Sequence, residues 1–162
     1  HQQVKDEMKD TEGRPEVKQR VRQLQYQMTQ NRMMSELPQA DVGVTNPQHY
    51  AVALRYDRES QGGAPILVAK GVDMMAMKIR EVAAKHEIPV VESPMLARAI
   101  YYHTQLKQEI PEGLFKAVAQ VLAYVFQLNA FRRGKARRPF LPKQLPIPAD
   151  LQHEGRHPQS AE

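Results

Sequence analysis

The sequence contains no cysteine, which excludes disulfides, thiolate metal sites and thiol catalysis and leaves the redox compartment undecided. It also lacks a long apolar run. The richest stretch, Leu114 to Phe126, is interrupted by Lys116 and Gln120, so no span of the 18 or more residues a membrane helix needs is expected. No signal peptide is expected, and no internal repeat is evident. His1 in place of methionine suggests a piece of something longer. The histidines at 1, 86, 103, 153 and 157 form no metal-ligand pair on one helix face, so a metal site is not expected. No nucleophile, base and acid set for turnover on other molecules stands out either.

What is present fits one ordinary domain with appendages: 162 residues, 25% charged and 41% hydrophobic. The net charge of +5 is concentrated in the first helix and in the run Arg132-Arg133-Gly134-Lys135-Ala136-Arg137-Arg138. No aromatic is interleaved within that run, which favours a solvated or membrane-facing segment over a nucleic-acid site. A small basic α/β nucleic-acid-binding domain, using the first helix and residues 132–138, is the alternative from another functional class.

The spacing of Val17, Val21, Leu24 and Met28 after Pro15 predicts a long, narrow-striped and largely exposed helix that ends before Pro38. Strand-like alternation follows, with Val42 and Val44 on one face and Thr45 leading into a turn, then Val52, Leu54 and Tyr56 on one face of Tyr50 to Tyr56. Asp57 to Gly63 reads as a loop, and Ile66 to Ala69 as a strand buried on both faces. Gly71 is expected to open a helix carrying Val72, Met75, Ala76, Ile79, Val82 and Ala83, with Met74, Met75 and Met77 as filling and contact surface. The strand Ile88 to Glu92, a helix capped by Ser93-Pro94, and a last helix from about Glu112 to Asn129 complete the pattern. The prolines from Pro139 onward predict an extended, mobile tail that packs little. The expected architecture is α/β, a small mixed sheet of about four strands flanked by about four helices. It divides into a basic helical arm at 1–39, a core at 40–130 and a basic, proline-rich tail at 131–162.

The chemistry is concentrated at Asn46-Pro47-Gln48-His49, between two short strands. Ordinary asparagine deamidation needs the next residue's N–H as nucleophile, and proline has none. The reverse attack stays open. The Asn46 amide nitrogen adds to its own main-chain carbonyl, closes a succinimide and expels the nitrogen of Pro47, which cuts the backbone. His49 is suited to relay a proton or to hold the turn. The plainer alternative is that Asn-Pro merely starts a turn.

The blocks Ala40 to Leu54, Val68-Ala69-Lys70-Gly71, Ile88 to Glu92, Pro94 to Arg98 and Val121 to Phe126 resemble, in the same order, the FlhB/YscU export-switch family, with coverage from about Lys5 to Pro148. The resemblance implies the cytoplasmic domain of an inner-membrane protein of type III secretion, with the flagellar branch favoured and a membrane part preceding residue 1. It implies a single self-cleavage between Asn46 and Pro47 with the two pieces remaining together, no cofactor, and no enzyme turnover. The implied partners are rod-hook export substrates, a secreted hook-length control protein and other export-gate and export-ATPase components. Nucleic acid is not among them. Thr45, Gln48, Tyr50 and Lys70 take the places of cleavage-turn residues. The family's Asn-Pro-Thr-His has threonine where Gln48 stands, which bears on turn geometry and rate. Ala64, Pro65, Ala119 and Leu122 match a family docking pocket for export substrates, and Lys70 a structural position near the turn.

Overall fold

A computed structural model of the chain describes residues 14–47, 49–56 and 63–154. The chain falls into two compact units, His1–Ser35 and Glu36–Glu162. The helix of the first, α1 (Pro15–Glu36), is largely exposed as expected: Val21, Leu24 and Met28 of its narrow stripe are exposed, and so is Tyr26. It gives way to a 3-10 turn at Leu37–Gln39, where Pro38 cannot continue the helical ladder.

The second unit is built on a four-stranded mixed sheet. Its strands are β1 (Val42–Asn46), β2 (Tyr50–Arg55), β3 (Ile66–Val72) and β4 (Val90–Glu92), in the order β3-β2-β1-β4. β1 pairs antiparallel with β2 and parallel with β4, so the strand that ends at Asn46 is central, with ladder partners on both sides. β4 is shorter than the expected Ile88 to Glu92, because Pro89 has no N–H to give. Its carbonyl still accepts a bond from Gly43 at 2.8 Å.

The two faces of the sheet differ in side-chain size, as a period of two dictates. Val42, Val44, Val52, Leu54 and Leu67 form one core with α3 (Pro94–His103) and α4 (Phe115–Arg132). A register shift between Ala53 and Leu54 pairs Leu54 with Leu67, which keeps Leu67 on that face while Val68 is the extra residue. The other face carries Ala51, Ala53, Ala69 and Gly71 and receives α2 (Asp73–Lys85) through Ala76, Ile79 and Ala83.

Gly71 does not open that helix, as its sequence context suggested. It lies in β3 opposite Ala51, and Val72 lies opposite Tyr50, so the helix starts only at Asp73. A Cβ on Gly71 would come within 2.5 Å of Met75 Cγ and 2.8 Å of Met75 Cβ. Glycine is there to let α2 approach, not to start it.

The prolines after 139 do not keep the tail from packing. Ile147 is buried in the main core, with Leu141, Leu145 and Leu151 packed against it, and a 3-10 turn forms at Ala149–Leu151. Arg98 Nε donates to the carbonyl of His153 at 2.7 Å. The expected mobile tail is therefore a strap over the core as far as the structure describes it. By length and composition alone Glu112–Arg132 is long and apolar enough to cross a membrane, contrary to expectation. Here Ala117, Val118, Val121, Leu122 and Val125 of that segment pack in the core.

Candidate functional site: the Asn46–Tyr50 turn

Asn46 ends β1 opposite Tyr50, the first residue of β2, and Pro47 and His49 lie in the turn between the two strands. The His49 N–H donates to the Asn46 carbonyl oxygen at 3.1 Å. Thr45 is buried and its carbonyl accepts from the Ser93 N–H at 2.9 Å, Asn46 is half-buried, and Pro47 is exposed. The far side of the turn is tied down as well, since the His49 carbonyl accepts from the Asp73 N–H at 2.9 Å. Gln48 and residues 57–62 of the expected Asp57 to Gly63 loop lie outside the described residues.

Asp73 carries no mark in the sequence, where the helix start reads as Gly71. It adopts a left-handed φ of +50° at the first position of α2, a conformation uncommon for a residue with a side chain. That backbone turns its N–H toward His49, and its carboxylate oxygen Oδ1 stands 3.6 Å from His49 Nδ1. Both side chains are more than half exposed, so this side-chain contact is weak. The backbone bond is the firmer link between helix and turn.

Tyr50 anchors the C-terminal side. Its ring meets Tyr101 edge-on at 5.2 Å between centroids, and its hydroxyl lies 2.6 Å from that of Tyr102. His153 stacks on Tyr102 at 3.5 Å, so the tail strap reaches this aromatic cluster. Burial, followed by the bond to Tyr102, pushes the Tyr50 pKa above its ordinary 10.0. A phenol raised in the fold contributes stability that is complete below the unfolded value and is lost as pH rises past 10.0, where only the unfolded chain ionises. Tyr50→Phe is accordingly expected to lower stability at neutral pH by about 0.5–1.5 kcal/mol and to flatten the fall above 10.0. Denaturant midpoints at a series of alkaline pH values check both parts.

Lys70 lies opposite Val52 in the β2–β3 ladder. Its Nζ donates to the carbonyls of Tyr101 at 3.0 Å and Thr104 at 2.8 Å, closing the C-terminal end of α3, and sits 4.9 Å from the Tyr101 ring centroid. Burial lowers its pKa from 10.5. Of the four docking positions, Ala64, Pro65 and Leu122 are buried and Ala119 is exposed. Pro65 is held by its carbonyl, which accepts from the Ile110 N–H at 3.0 Å. Among the described residues no group of three histidine, aspartate or glutamate side chains could hold a metal.

The turn therefore has a carbonyl with a donor aimed at it, next to a side-chain amide and ahead of a proline. Residues 1–125 match the model of the FlhB HrpN YscU SpaS family. The chain belongs to that family. Within it, the sequence is similar to the flagellar biosynthetic protein FlhB of Salmonella typhimurium, 49% identical over 150 residues that make up 93% of this chain and 39% of the relative. FlhB of Bacillus subtilis is 49% identical over 126 residues, 78% of this chain and 35% of its own length. The chain thus spans well under half of the curated relatives it matches.

The family assignment carries the fold with it. The crystal structure of the cytoplasmic domain of FlhB from Shewanella putrefaciens superposes with a TM-score of 0.75 at 55% identity, covering 79% of this chain and 98% of that one. A mutated EscU C-terminal domain aligns with a TM-score of 0.53 at 31% identity, over 56% of this chain and 90% of that one. The α/β architecture with a four-stranded mixed sheet is that of an FlhB-type export protein.

Proposed function

We propose that this chain is the cytoplasmic specificity switch of a flagellar type III export apparatus, and that it cuts itself once between Asn46 and Pro47. The observation that carries the reading is the His49 N–H directed at the Asn46 carbonyl, in a turn clamped by β1, β2 and the first residue of α2. Asn46 Nδ2 bonds to that carbonyl carbon, and negative charge develops on the oxygen that already accepts the His49 bond. The carbon–nitrogen bond to Pro47 then breaks. The proton lost by the amide passes to the proline nitrogen, with the His49 imidazole as relay. The succinimide left on Asn46 opens later by hydrolysis. Rigid orientation supplies most of the rate, because nucleophile and carbonyl belong to one residue. Nothing turns over, and no cofactor enters.

The sheet keeps the pieces together. β1 ends the N-terminal piece, whereas both its neighbours belong to the C-terminal piece. Bonds from Asp41 N to Leu54 O, Gly43 N to Pro89 O and Ser93 N to Thr45 O cross the division. Val42 and Val44 are fully buried, and each buried valine contributes roughly 1.5–3 kcal/mol. Scission then frees only the turn, which changes the surface offered to rod-hook substrates, a secreted length-control protein and other export-gate and ATPase components. The site of action is the cytoplasmic face of the inner membrane, with the membrane part ahead of residue 1. Ala119 is the exposed member of the four docking positions and the place for a substrate to touch first.

Intact mass under denaturing conditions tests the cut. Incubation at neutral pH is expected to yield a species of residues 47–162 and a complementary piece ending at Asn46, which co-elute under native conditions. A chain that stays whole throughout would overturn self-cleavage.

A further inference from the structure

Beyond Val125 the character of α4 changes. From Phe126 to Pro146 no residue is buried; Leu141 and Leu145 lie half-buried against the core, whereas every residue from Phe131 to Arg138 is exposed. Between Glu112 and Asp150 there is no acidic residue, while six lysines and arginines fall between Phe126 and Lys143. Phe126, Phe131 and Phe140 are exposed in the same stretch, Phe140 by 82%.

The end of this helix is a built element. Gly134 takes φ +72° with open space where a Cβ would lie. Its N–H donates to the Phe131 carbonyl at 2.9 Å, and the Lys135 N–H to the Ala130 carbonyl at 2.8 Å, the two bonds of a Schellman cap. Cations in the last turn complement the helix dipole, which accounts for Arg132 and Arg133. It does not account for Arg137, Arg138 or an exposed phenylalanine two residues later.

We infer that the segment Phe126 to Lys143 is a docking site for an anionic lipid surface, with Phe131 and Phe140 entering the acyl boundary and the arginines seated on phosphate headgroups. Charge sets the class of partner, since the site is purely cationic over its whole length. Exposed phenylalanines beside the cations favour a lipid surface, whose acyl boundary takes apolar side chains next to its charged headgroups. Pro139 and Pro142 bracket Phe140 without N–H groups, so lowering it into the interface strands fewer unpaired donors. The aromatics lie outside the run 132–138, where base stacking would need them inside it.

Vesicle flotation of the full chain tests this. Expected is binding to phosphatidylcholine vesicles containing about a third phosphatidylglycerol, none to phosphatidylcholine alone, and release near ~0.5 M salt. Exchanging Arg132, Arg133, Arg137 and Arg138 together for glutamine should weaken binding about fivefold per cation, several hundredfold in all. Phe140→Ser should cost about tenfold with no change in thermal unfolding, since the side chain is exposed. The sequence has no tryptophan, so Phe140→Trp reports from this site alone, with emission moving to the blue and quenched by brominated acyl chains. Undiminished binding by the arginine variant would place the lipid contact elsewhere, the basic α1 included, and overturn the inference. Equal binding to neutral vesicles, no binding at all, unshifted tryptophan emission, or displacement from vesicles by an oligonucleotide or an acidic polypeptide would overturn it too.

Discussion

Asn46→Ala is expected to leave the chain whole through days of incubation at neutral pH, with no detectable species of residues 47–162. The substitution removes the only nucleophile that the proposed chemistry uses and leaves the carbonyl, its His49 donor and the proline leaving group in place. Orientation of the kind provided by the clamped turn is worth effective molarities of about 10⁵–10⁸ M, and all of it vanishes when the amide is absent. Folding should survive. The β1 ladder is made by backbone groups, and the Asn46 side chain is half-buried at the end of its strand. The paired measurement is intact mass for the cut and thermal unfolding for the fold. Loss of cleavage with an unchanged unfolding temperature is the expected pair. Continued cleavage at the same bond in the alanine variant would show that water or another residue attacks, and the cyclisation would have to be given up.

The parts of this fold that sequence reveals are those carried by local pattern. Val42 and Val44 alternate, Val52 and Leu54 alternate, and a turn between them follows from Asn46-Pro47. The β1–β2 hairpin and its register are as that pattern implies. The α3 start at Ser93-Pro94 is legible in the same way, although Ser93 makes no side-chain cap bond. Misreadings occur where a distant partner decides. Gly71 looks like a helix opener until Met75 is seen packed over it. The leucines between the late prolines look unpartnered until the core offers them a surface. At the site itself, Asn46, Pro47 and His49 stand together because they are contiguous. Asp73 and the Tyr101-Tyr102 pair are brought to the turn by the β2–β3 pairing and the packing of α3, neither of which leaves a local mark.

Leu54→Ala carries the largest expected effect on stability, and its consequences differ between whole and cut chains. Leu54 is fully buried on β2, opposite Val42 of β1 and Leu67 of β3, so it joins the strand ahead of the turn to the strands behind it. Truncating a buried leucine to alanine costs about 2–5 kcal/mol from lost transfer energy and the cavity left behind. In a chain held whole by Asn46→Ala, that loss appears as a lower denaturant midpoint in one cooperative transition. In the cut chain the same loss falls on an association, because Val42 and Leu54 then belong to different molecules. The affinity between the pieces drops by a factor of roughly 30 to several thousand. Size-exclusion chromatography at falling concentration should show the Leu54→Ala pieces separating while the parent pieces co-elute. Leu24→Ala, on the exposed stripe of α1, should change neither measurement. If the Leu54→Ala pieces stay together at every dilution, the hold between them lies outside the β1–β2 core, and the sheet is not what retains the N-terminal piece after the cut.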